Sequence, residues 1–152
     1  MSATELPPIE HLVPHRGESL LLDRVLEHDD KSTVVRVVVG SRKCLEKTDG
    51  TIAPWVALEY MSQCIAAHES LLAAENGDAR TPGYLTAATG VRLHRSHFEA
   101  GEQLRVRTRR TRGRPGLGAF SHFCTIYQEG EARDGRLLAE GRLTISIVKP
   151  AR

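Results

Sequence analysis

The sequence predicts an α+β fold in which one antiparallel sheet curves around a single long helix. Three observations predict it. The run from 54 to 75, opening "PWVALEYMSQCIAAH", is apolar on nearly every side. Strand-like segments precede and follow it, separated by short breaks rich in Gly, Asp and Pro. No second helix is long enough to cover the sheet, so the sheet must wrap the one there is.

Length and composition narrow the field. The 152 residues fit one domain, 1–152, large enough to bury a real core. Apolar residues are 40% and charged residues 26%, a globular balance. A net charge of +2 gives no overall attraction to nucleic acid. The three cysteines, Cys44, Cys64 and Cys124, are scattered and form no C-x-x-C pair. They read as reduced thiols rather than a disulfide or zinc framework. The opening "MSATELPPIEHL" has no basic leader and no long apolar run. The expectation is a cytoplasmic protein without a membrane span.

The elements follow in order. "LPPIEHLVPHRGES" is a proline-rich turn and loop. "LLLDRVLEHD" and "STVVRVVVGS" are strands of a hairpin, joined by the turn residues Asp29, Asp30 and Lys31. "RKCLEKTDGTIA" is a polar loop. Pro54 suits the first turn of the helix, and Asn76-Gly77 suits its end. "GYLTAATGVRLHR", "EQLRVRTRRTR", "LGAFSHFCTIYQ" and "RLLAEGRLTISIV" are strand-like, with no internal repeat among them.

The helix holds an anomaly, Glu59. At about 100° per residue, Glu59, Ser62, Gln63, Ala66 and Ser70 fall on one narrow stripe. Val56, Leu58, Met61, Ile65, Leu71 and Leu72 cover much of the remainder. Gln63, four residues on, is placed to hydrogen-bond the carboxylate. Periodicity leaves two readings open. Either the stripe is solvated beside a surface loop, or Glu59 faces a confined cleft where it gives or takes a proton.

Three stretches together carry a family resemblance. "LVPHRGESLLLDRV" resembles the N-terminal signature of 3-hydroxyacyl-(acyl carrier protein) dehydratases. "LEYMSQ" resembles their helix motif, and "RLHRSHFEAGEQLRV" their later strand pair. Order and spacing agree from about Leu12 to Val148, and "APWVALEYMSQ" is similar to the dehydratase-like proteins of aryl polyene pigment synthesis. The resemblance implies the hotdog fold and a dimer with tunnel sites at the subunit interface. It implies that Glu59 is the acid or base and that Gln63 supports it. Backbone N–H groups at Trp55 and Val56 would hold the thioester carbonyl, aided by the helix dipole. Phosphopantetheine would arrive with the substrate, with no metal or redox cofactor.

One departure matters. The family carries a catalytic histidine in a Gly-His-Phe-Pro loop ahead of the helix; here that stretch is "RKCLEKTDGTIAP", and by spacing Leu45 takes the position. Other histidines are poor substitutes on sequence grounds. His15 belongs to the Pro-His-Arg signature and reads as structural. His68 lies about 180° from Glu59 around the helix. His94 and His97 would point to opposite faces of a strand, which argues against a metal site. His122 reads as packing or surface.

Arg105, Arg107 and Arg109 share one strand face, within a run that includes Arg110, Arg112 and Arg114. Such runs are most often solvated. Nucleic acid is disfavoured because no aromatics are interleaved. Beside the resemblance, a basic rim at the tunnel mouth would steer an acidic acyl carrier protein. Trp55 would pack in the core or wall the tunnel.

The expected activity is dehydration of a β-hydroxyacyl thioester on a carrier protein to the trans-2-enoyl thioester. The chain would act as a homodimer, or as a heterodimer with a histidine-bearing hotdog paralogue. The alternatives are a thioesterase using Glu59, or a non-catalytic subunit stabilising a paralogous dehydratase.

Overall fold

The computed structural model describes residues 5–40, 49–130 and 135–147. Its long strands are β1 (Arg24–His28), β2 (Ser32–Val38), β4 (Gly83–Leu93), β6 (Gln103–Arg114), β7 (Ala119–Gln128) and β8 (Leu137–Ile147). These six form one antiparallel sheet in the order β1-β2-β6-β7-β8-β4. A small second ladder pairs β3 (Thr51–Ile52) with β5 (Phe98–Glu99). The helix α1 (Ala57–Glu75) follows a 3-10 turn, Pro54–Val56.

Local chemistry sets the boundaries. The β1–β2 turn forms because the Asp29 carboxylate accepts from the Lys31 and Ser32 backbone N–H groups, both at 2.8 Å. Those bonds lower the Asp29 pKa below the usual carboxylate value. The helix ends in a Schellman motif. Gly77, at φ 70°, donates to Ala74 O at 3.2 Å, and Asp78 donates to Ala73 O at 2.8 Å.

Alternation then builds the core. Val35, Val37, Leu104, Val106 and Ile126 are fully buried on the sheet face that meets α1. Their neighbours Arg36, Arg105, Arg107 and Arg109 therefore point to the opposite face. Met61, Cys64, Ile65 and Ala67 cover the inner face from the helix. One ribbon of α1 stays half-covered, running through Leu58, Glu59, Ser62, Ala66 and Glu69.

The two edges of the sheet differ. β4 pairs only with β8, and all but one of its residues are exposed, among them Tyr84, Leu85 and Leu93. An eleven-residue open edge with large apolar side chains is a template for another strand. Among the described residues no helix is long and apolar enough to cross a membrane.

Candidate active site

The segment 12–21 lies against the polar stripe of α1, which explains the stripe. Ser70 Oγ donates to Leu12 O at 2.5 Å. Gln63 accepts from Leu21 N–H at 3.0 Å and donates through Nε2 to Ser19 O at 2.8 Å. Gln63 Nε2 also donates to Glu59 Oε1 at 2.9 Å. The fully buried Gln63 therefore fastens the segment to the helix and sets Glu59 at the same time.

Glu59 itself is not buried. Its side chain is 44% exposed, so the cost of hiding a carboxylate does not arise within this chain. His15 Nε2 lies 3.5 Å from Glu59 Oε1. Sequence alone makes His15 a structural residue; the fold makes it the neighbour of the one helical carboxylate in the motif. Arg16 braces the turn beside it, donating from Nη1 to Val13 O at 2.6 Å and to His15 O at 2.7 Å. The Pro-His-Arg signature is thus a braced turn that presents its histidine. No spacing rule could have paired residues 15 and 59 without the Gln63 bridge.

The helix start departs from expectation. Val56 N–H donates to Ala53 O at 3.1 Å, so that amide is already engaged and is not an open donor for a thioester carbonyl. The Val56 side chain is buried, whereas Trp55 is 57% exposed and not a core residue. Leu45 and Cys44 lie outside the described residues.

The arginine run divides. Arg105 pairs with Glu27 at 3.2 Å, and its neighbour Arg36 with Glu129 at 2.6 Å. Arg107 and Arg109 are exposed on the face away from α1, so they do not rim Glu59. Arg110 shares the inner face with Leu104, Val106 and Thr108 by alternation, just before a bulge, and meets Glu69 at 2.5 Å.

Three histidines fill a buried polar layer under the second half of α1. His28 contacts Glu75 Oε1 through Nε2 at 2.9 Å and Thr33 Oγ1 through Nδ1 at 2.7 Å. His122 contacts Glu69 Oε1 through Nε2 at 3.1 Å and Thr108 Oγ1 through Nδ1 at 2.8 Å. Thr33 and Thr108 are cross-strand partners, and His68 Nδ1 joins Thr33 Oγ1 at 2.7 Å. Burial, followed by the nearby His122, holds the His68 pKa down to about 4. Burial also lowers His122, against the pull of Glu69. His122 is therefore an internal hydrogen-bonding residue, with no surface role.

Cys64 and Cys124 are free and buried, and burial pushes Cys124 up to about 12. His97 contacts Glu99 at 3.3 Å in a surface turn. Among the described residues no cluster of three or more His, Cys, Asp or Glu could hold a metal.

The sequence model of the ApeP-like family, described as ApeP dehydratase, matches residues 7–151. The chain belongs to the ApeP-like dehydratase family. No curated protein matches it. In structure it is similar to the dehydratase heterocomplex ApeI:P from Xenorhabdus doucetiae, with a TM-score of 0.84 at 22% identity. That match covers 95% of this chain and 93% of the other. A mutant of the phenylacetic acid degradation protein PaaI from Thermus thermophilus matches with a TM-score of 0.59 at 17% identity, covering 86% and 96%. Thioesterase superfamily member 2 from Mus musculus matches with a TM-score of 0.57 at 14% identity, covering 81% and 79%. This ApeP-like chain therefore has the hotdog fold, its sheet wrapped on one helix as the apolar run at 54–75 predicts.

Proposed function

We propose that this chain is one subunit of a cytoplasmic dehydratase acting on a 3-hydroxyacyl thioester borne by an acyl carrier protein. Water is lost from Cα and Cβ, leaving the trans-2-enoyl thioester. Glu59 exchanges one of the two protons the reaction moves: the one taken from Cα or the one given to the departing hydroxyl. The observation that carries this reading is the Glu59–Gln63 pair, a carboxylate fixed by a buried amide yet open to solvent.

The second proton-transfer group comes from a histidine-bearing hotdog paralogue. No histidine stands between His28 and His68 in this sequence, and the open β4 edge offers that paralogue a strand to pair with. The heterocomplex named for the Xenorhabdus structure supports such an assembly. Phosphopantetheine arrives with the substrate as its carrier arm. The exposed Arg107 and Arg109 steer the acidic carrier protein by long-range attraction, from the outer sheet face rather than from a tunnel rim.

A second reading is a scaffold that only stabilises the paralogue. The engaged Val56 amide favours it, since one expected substrate contact is already taken up within the chain. Replacing Glu59 separates the two. Glu59→Gln is nearly isosteric and should leave the mixed complex intact. If Glu59 transfers a proton, turnover of that complex falls on the order of 10²-fold or more. An unchanged rate in an intact mixed complex makes this subunit a scaffold. Full activity from the purified chain alone removes the need for a partner histidine.

A further inference from the structure

Within the reading that Glu59 serves the reaction, the geometry points to a role for His15. We propose that His15 is a positioning residue which, with Gln63, holds one Glu59 oxygen so that the other does the proton transfer. Both contacts go to the same atom. Gln63 Nε2 donates to Oε1 at 2.9 Å, and His15 Nε2 lies 3.5 Å from that same Oε1. Among the described residues none bonds to Oε2. The Gln63 bond, with His15 beside it, restricts the carboxylate and leaves Oε2 as its open oxygen. Pre-setting a reacting group in this way lowers the entropy lost on reaching the transition state.

The surroundings of His15 support a built arrangement. Its segment is tied to α1 on both sides, by Ser70 to Leu12 O and by Gln63 to Ser19 O and Leu21 N–H. Arg16 braces the turn between them. A carboxylate only accepts, so in the proposed role His15 turns a protonated Nε2 toward Glu59. The other ring nitrogen, Nδ1, is buried without a partner among the described residues. A buried polar atom left unsatisfied costs stability. At 3.5 Å the His15–Glu59 contact is longer than a hydrogen bond, and contacts at catalytic groups are often long before substrate binds.

The test uses the complete complex and a 3-hydroxyacyl pantetheine thioester, following enoyl absorbance. Four variants are compared: His15→Leu, His15→Gln, Glu59→Gln, and the double variant with His15→Leu. His15→Leu should lower kcat about tenfold while KM stays within twofold. His15→Gln, whose amide can still donate to Oε1, should restore at least half of the lost rate. In the Glu59→Gln background, His15→Leu should change the rate less than twofold, since the group it positions is gone. Equal tenfold losses in both backgrounds overturn the proposal, as do equal rates for His15→Leu and His15→Gln. Should His15→Leu fail to assemble, His15→Asn replaces it, since its shorter amide cannot reach Oε1. An unaffected Glu59→Gln complex is a different failure: it removes Glu59 from the chemistry and overturns the reading on which this rests.

Discussion

Removing the Gln63 amide should destabilise the chain by an amount that can be worked out bond by bond. Gln63→Leu keeps the volume and the burial but deletes every polar partner. Leu21 N–H, at a buried residue, loses its acceptor at 3.0 Å. An orphaned buried donor of this kind costs roughly 2 kcal/mol. Ser19 belongs to an exposed turn, so its carbonyl turns to water at little cost. The bond to half-exposed Glu59 adds roughly 1 kcal/mol at most. The sum is roughly 3 kcal/mol, a fall in melting temperature of roughly 6–12 °C for a domain of this size. Thermal unfolding followed by circular dichroism, at one fixed protein concentration, reads it directly. Gln63→Glu is the informative control. It keeps an acceptor for Leu21 N–H but sets a second carboxylate against Glu59. Its deficit should shrink as pH is lowered, while that of Gln63→Leu should not. A Gln63→Leu melting temperature within about 2 °C of the parent would refute the reasoning.

Two other outcomes follow from the structure. His68 titrates near 6.5 when unfolded and near 4 when folded, because burial and His122 disfavour its charge. The unfolded chain then binds the extra proton first, so stability is full above 6.5 and is lost as pH falls towards 4. The loss reaches roughly 3 kcal/mol, and His122 acts in the same direction. Urea titrations at about pH 7, 6 and 5 should show it, and His68→Leu should flatten the slope; a parent profile flat over this range contradicts the buried layer. Replacing both Arg107 and Arg109 by Ser should slow carrier-protein association and weaken its salt dependence. Stopped-flow rates unchanged at low and high salt would return these arginines to a solvated face.

The sequence foretold the wrap because its signals were local. Asp29 to Lys31 is turn chemistry, Asn76-Gly77 stops a helix, and strand alternation separates Val106 from Arg105 and Arg107. Each depends on residues a few positions apart, and each appears where expected. Within the site, the i, i+4 pair of Glu59 and Gln63 was legible for the same reason. His15 was not, because its approach to Glu59 passes through bonds from Gln63 to residues more than forty positions away. His122 was hidden in the same way: a strand position says which face it shares, not that Glu69 waits there. The Val56 amide misled because a 3-10 turn, rather than an immediate α-helix, opens the run at Pro54.

Burial alone sets the angle of α1 only coarsely, with Met61, Cys64, Ile65 and Ala67 turned to the sheet and the half-covered ribbon turned away. Rotation by one residue, about 100°, would carry Glu59 out of place and turn buried side chains toward the half-covered side. What indexes α1 is its set of directional bonds: Gln63 to Leu21 and Ser19, His68 to Thr33, Glu69 to Arg110 and His122, and Ser70 to Leu12. They act like the teeth of a key, each cut for one angular setting. The histidine–threonine layer lies about two to three turns along α1 from Glu59, yet it helps to decide where that carboxylate points. Redesigning that layer with well-packed aliphatic residues would remove those teeth and loosen the angle at which α1 holds Glu59.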